Sequence, residues 1–112
     1  MRTIRTVLTI GFAAITATSF ALPAFLTTFQ ATYKAPKGSA LESAGCKTCH
    51  VGSTTKRNPY GQDVEKAMAA LKSKKVTAEV LKKVELLDSD KDGVTNIAEI
   101  TKGTLPGDPK SK

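Results

Sequence analysis

Cys46-Lys47-Thr48-Cys49-His50 sets two thiols three positions apart, with an imidazole directly after the second. This is the spacing of c-type haem attachment: each thiol adds to one vinyl group of the porphyrin, and the imidazole of the following residue falls under the ring to bind iron. Three other chemistries use similar residues. A thioredoxin-like redox pair needs a βαβ setting, and no such pattern is present. A zinc site needs a fourth ligand, which a chain with two Cys and one His does not supply in thiols or imidazoles. A plain structural disulfide is compatible with an exported protein. With one His, bis-His ligation within the chain is excluded, so the sixth iron position falls to Met68, a weaker donor, water or nothing. Met68 is the one Met after the initiator. It is read either as the distal ligand, which would raise the reduction potential, or as a core residue that fills space.

A second cluster, Asp88-Ser-Asp-Lys-Asp-Gly-Val-Thr-Asn-Ile-Ala-Glu99, fits the EF-hand-type pattern D-x-[DN]-x-[DN]-G-x5-E at every position. Asp88, Asp90 and Asp92 offer carboxylates at alternate positions, and Gly93 permits the sharp turn. Val94 offers its carbonyl, Asn96 acts directly or through water, and Glu99 closes the site as a bidentate ligand. A solvated acidic turn is the plainer alternative, although four acidic side chains brought together without a cation repel one another. Sensor EF-hands work in pairs. A single loop followed by a short helix therefore points to a structural calcium site of modest affinity, with regulation left open.

These groups need elements to position them. Between Gln62 and Lys72 the apolar residues Val64, Ala67, Met68 and Leu71 recur at helical spacing. A second amphipathic helix begins after an N-cap at Thr77, with Glu79 in its first turn and a buried stripe of Val80, Leu81, Val84 and Leu87. A third runs from Asn96 to Lys102, stopped by Gly103 with Pro106 beyond. Residues 51–60, rich in Ser and Thr and closing on Asn-Pro-Tyr, read as a loop. No run alternates apolar and polar residues, so the expected fold is all-α.

The start of the chain is of another kind. Arg2 and Arg5 precede an uncharged stretch from Thr6 to Tyr33, apolar for most of Val7 to Leu26. A basic segment followed by an apolar one predicts export, with the arginines left in the cytoplasm. Residues 1–24 are read as a signal peptide or an uncleaved membrane anchor. Ser19-Phe20-Ala21 and Leu22-Pro23-Ala24 are imperfect processing sites, and the length approaches that of a membrane span. Residues 25–39 are read as a linker and 40–112 as the domain.

All four Phe lie in the first 29 residues, so the domain has little aromatic bulk for a core. A chain this small is marginal without a staple, metal or cofactor, and a multi-domain enzyme, a porin and a repeat array are excluded. Of the 17 Lys and Arg, 15 follow the export segment, against 10 Asp and Glu. Lys72, Lys74, Lys75, Lys82 and Lys83 are the densest group, either a solvated face or a patch that steers an acidic redox partner. Without aromatic residues among the charges, nucleic acid is not an expected partner.

Taken together, these pieces resemble small exported bacterial monohaem c-type cytochromes. The resemblance lies in Cys46 to His50, Asn58 to Gly61 (Asn-Pro-Tyr-Gly), Asp88 to Ile100, and Gly103 to Pro109. The acidic loop also resembles those of thrombospondin type 3 repeats, in a single copy. The resemblance implies a cytochrome c-like helical domain around a covalent haem c on Cys46 and Cys49, with iron on His50. It also implies one-electron transfer to a partner protein in the periplasm or on the outer face of the cytoplasmic membrane, with no enzymatic activity of its own. It departs from familiar class I cytochromes at the distal side, because Met68 lies only 18 residues past His50, on an expected helix. The runner-up readings are a haem-based small-ligand binder with an open iron site and a calcium-stabilised interaction module without haem.

Overall fold

Residues 24–112 are described by a computed structural model of the chain. Helices begin where a small polar side chain can take an orphan amide of the first turn. Two helices come first, α1 (Ala24–Thr32) and α2 (Ala40–Ala44). Ser39 caps α2 by accepting from the Glu42 amide at 3.2 Å, while the Glu42 carboxylate reaches back to the Gly38 amide. A 3₁₀ turn over Gly45–Thr48 follows directly and carries Cys46. Asn58 then caps α3 (Pro59–Ala70), Thr77 caps α4 (Ala78–Lys83) and Thr95 caps α5 (Asn96–Lys102), each from extended backbone. Among the described residues no strand forms; β pairing there is limited to an antiparallel bridge between His50 and Arg57. The fold is all-α, as the periodicity predicts.

The core is built around Tyr60, which is fully buried. The Phe29 ring meets it nearly edge-on at a centroid distance of 6.2 Å, and Tyr33 tilts against Phe29 at 5.3 Å. Val64 and Ala67 of α3, Val80 and Leu81 of α4, Val84 and Ile100 pack into the same cluster. Gly103 ends α5 with φ of 90°, and its carbonyl accepts from the Leu41 amide, which ties α5 to α2.

Several boundaries differ from the sequence reading. The expected linker 25–39 is half helix: α1 packs on the core, with Leu26 and Phe29 buried. Between α1 and α2 the chain turns at Pro36 to Ser39, closed by the Ser39 amide on the Pro36 carbonyl at 3.0 Å. The loop expected over 51–60 stops at Asn58, because Pro59 supplies the fixed φ of a first helical residue. α4 ends at Lys83, so Leu87 leaves the expected buried stripe and is 46% exposed. The expected signal or anchor segment lies outside the described residues up to position 23. Among the described residues no helix is long and apolar enough to cross a membrane.

Candidate functional site

Cys46, Cys49, His50 and Met68 line one cleft. The cleft has a cavity volume of ≈ 200 Å³ and is open to solvent on one side. Leu26 and Phe29 of α1, Val64 of α3, and Val76 and Leu81 beside and within α4 make its walls largely apolar. Arg57 and Glu65, paired at 3.3 Å, are the charged groups on its lining.

Asn58 is a principal support of the Cys-x-x-Cys-His turn. Asn58 Nδ2 donates to the carbonyls of Lys47 (3.1 Å) and Thr48 (3.0 Å), its backbone amide donates to the Cys49 carbonyl (2.9 Å), and its Oδ1 accepts from the Gly61 amide (2.9 Å). One residue thus caps α3 and clamps three consecutive peptide units of the motif. α3 then passes so close to the motif that a Cβ on Gly61 would lie 2.1 Å from the Cys49 carbonyl oxygen. Gly61→Ala is therefore expected to destabilise the protein by about 2 kcal/mol, read as a lower urea midpoint. Gly107 of the C-terminal tail approaches Asn58 just as closely, and a Cβ there would lie 2.4 Å from the Asn58 side chain.

His50 is half-buried, and its Nδ1 lies 3.3 Å from the Thr55 carbonyl. A carbonyl only accepts, so that contact places the proton on Nδ1 and leaves Nε2 with the lone pair, the arrangement usual for a metal-bound imidazole. Both thiols are free, with Cys46 exposed and Cys49 half-buried. Burial, and secondarily the neighbouring Cys46, pushes the Cys49 thiol up to about 11. The described residues form helices and no strand, so they lack the βαβ setting that a thioredoxin-like pair needs.

The second candidate site lies in the turn before α5. One carboxylate oxygen from each of Asp88, Asp90 and Asp92 falls within 4.8 Å of the others. Asp88 also accepts from the Asp92 and Gly93 amides, and Asp92 from the Val94 amide at 2.9 Å, which shapes the loop. Glu99 is 2% exposed, and neither of its carboxylate oxygens has a hydrogen-bond partner; one oxygen of Asp90 is likewise buried and unpartnered. Burial, then the adjacent Asp92 carboxyl and the charges of Asp90 and Asp88, push the Glu99 carboxyl up to about 8. The gathered carboxylates are the three Asp; Glu99, buried and unpartnered, feels their charges without joining that group, and these residues could hold a hard cation.

Asn96 does not join that set. It is fully buried: Nδ2 donates to the Val84 carbonyl and to Ser89 Oγ, both at 2.8 Å, and Oδ1 accepts from the Ser89 amide. Here its side chain straps the two ends of the loop together. Val94 stays on the loop with its side chain 42% exposed.

Sequence reasoning places Asn58 and Gly61 in the resemblance without giving them a role, and misses Ser89 and the α1 wall of the cleft. Asn58 carries a readable signal, a capping residue directly before Pro. No family model matches this chain, and no curated protein or solved structure matches it significantly.

Proposed function

We propose that this chain is an exported one-electron carrier with a c-type haem attached through Cys46 and Cys49 and ligated by His50, stabilised by calcium in the 88–99 loop. The observation that supports this most is the convergence of Cys46, Cys49, His50 and Met68 on one apolar cleft. A haem held there supplies reversible one-electron chemistry at its iron. The chain's own residues bind, orient and insulate. His50 offers Nε2 while Thr55 fixes its tautomer. Met68, half-buried on α3, is the thioether that lines the same cleft. Leu26, Phe29, Val64 and Leu81 exclude water, and Arg57 provides positive charge for carboxylate groups on the macrocycle's rim. A covalently held macrocycle also completes a core that has few aromatic residues of its own.

Lys72, Lys74, Lys75, Lys82 and Lys83 are all exposed around the junction of α3 and α4, next to Val76 and Leu81 of the cleft. This favours an acidic redox partner that docks where the cleft opens. For the loop, Asp88, Asp90, Asp92 and Glu99 with the Val94 carbonyl form an all-oxygen set suited to calcium.

The test is the visible spectrum of protein made with c-type maturation machinery. The expected result is a low-spin haem that stays with the denatured polypeptide, disappears in a Cys46→Ser, Cys49→Ser variant, and turns high-spin in Met68→Ala. A colourless protein would overturn the haem reading in favour of a calcium-stabilised interaction module. A covalent haem that is high-spin before any substitution and binds carbon monoxide would replace electron transfer with small-ligand binding.

A further inference from the structure

Two side-chain ties join the 88–99 loop to the walls of the cleft. Ser89, set between Asp88 and Asp90, is buried and donates its hydroxyl to Asp63 Oδ2 at 2.7 Å. Asp63 belongs to α3, directly before Val64 and five residues before Met68, both of which line the cleft. Asn96 holds Ser89 from the other side through two hydrogen bonds, so the hydroxyl's direction depends on the loop's closure onto α5. The second tie starts in the first turn of α5, where the Ile97 amide donates to the Glu85 carbonyl at 2.9 Å. The Glu85 carboxylate in turn accepts from the Tyr33 hydroxyl at 2.6 Å. Tyr33 extends α1 by one residue through its amide on the Phe29 carbonyl, and Phe29 lines the cleft.

The loop's geometry gathers carboxylates that repel one another when no cation is bound, and a cation favours that geometry over any more open one. Ser89 lies inside the loop and α5 starts at its end, so a preference for the closed loop is also a preference for the two ties. We infer that cation occupancy of the 88–99 loop is transmitted to the cleft through Ser89–Asp63 onto α3 and Glu85–Tyr33 onto α1. The ion thereby regulates how firmly the two helices close on whatever the cleft holds. Both the cation in the loop and whatever the cleft holds rest on the proposed function; the coupling does not depend on the haem.

Hydrogen–deuterium exchange of the full-length protein, in calcium chloride and in EDTA, tests this directly. Calcium is expected to slow exchange about fivefold or more in peptides from 24–33 and 59–70, in addition to the loop. Ser89→Ala should keep the loop's own response and lose that of 59–70; Tyr33→Phe should lose that of 24–33 alone. A wild-type response confined to 85–103, no response to calcium anywhere, or responses unchanged in both variants would overturn the inference. Covalent haem is read separately as added mass on the intact chain, so its absence would remove the proposed function while the exchange result still decides the coupling.

Discussion

Asn58→Ala is expected to lower stability by about 4 kcal/mol and to leave little folded protein able to retain a group in the cleft. The substitution removes an N-cap, worth about 1 kcal/mol, and the donors to the Lys47 and Thr48 carbonyls, at about 1–3 kcal/mol for the groups left unsatisfied. For a domain this small the sum is a large part of the whole. Asn58→Asp separates the contributions. It keeps an acceptor for the Gly61 amide but turns a second oxygen toward the Lys47 and Thr48 carbonyls, which Nδ2 now satisfies at 3.1 and 3.0 Å. Urea unfolding should therefore rank wild type well above both variants, with Asn58→Asp recovering little despite its intact cap. If Asn58→Asp retained most of the wild-type stability, the cap alone would account for the effect and the clamp on the Cys-x-x-Cys-His motif would carry nothing.

What can be read in advance follows from how local each determinant is. The boundaries of α5 rest on neighbours in sequence: Thr95 caps it, Gly103 stops it at φ 90°, and both are visible without a fold. The chemical motif and the acidic loop are also contiguous, which is why they stand out. α1 is hidden because its uncharged residues continue an export-like composition, and only Tyr60 and Phe29 meeting in space mark it as core. Asn96 has a role that spacing does not reveal. Its position in the loop pattern suggests a ligand, whereas its partners Val84 and Ser89 lie twelve and seven residues away. Leu87 fits the helical stripe by spacing, but α4 stops at Lys83 and the turn that follows carries Leu87 outward. Met68 illustrates the converse case: spacing alone puts it on an apolar face, and the fold brings that face to the cleft shared with His50.

Removing calcium should make stability fall as pH rises, which is opposite to the usual behaviour of a paired carboxylate. The Glu99 carboxyl is pushed up to about 8 and that of Asp90 to about 6, each chiefly by burial and then by neighbouring carboxyls. A carboxyl with a raised value in the folded state binds its proton more tightly there than in the unfolded chain. Its penalty is absent below the unfolded value of 4.5 and grows until the pH passes about 8. Asp92 opposes the trend, because the Val94 amide holds it low and Lys112 adds a favourable charge, but its window lies at lower pH. In EDTA the unfolding free energy is expected to drop by roughly 2–4 kcal/mol between pH 5 and pH 8.5. Saturating calcium should offset about 2.7 kcal/mol of this at a hundredfold excess over its dissociation constant and flatten the profile. Glu99→Gln makes the assignment specific. In EDTA at pH 8.5 the variant should be more stable than the wild type, since a neutral amide replaces a buried charge, yet it should gain little from calcium because the closing ligand is lost. Equal calcium responses in the two proteins would place the cation elsewhere, and a chelated wild type that grows more stable toward pH 8.5 would show that the buried carboxylate is already compensated by the chain itself.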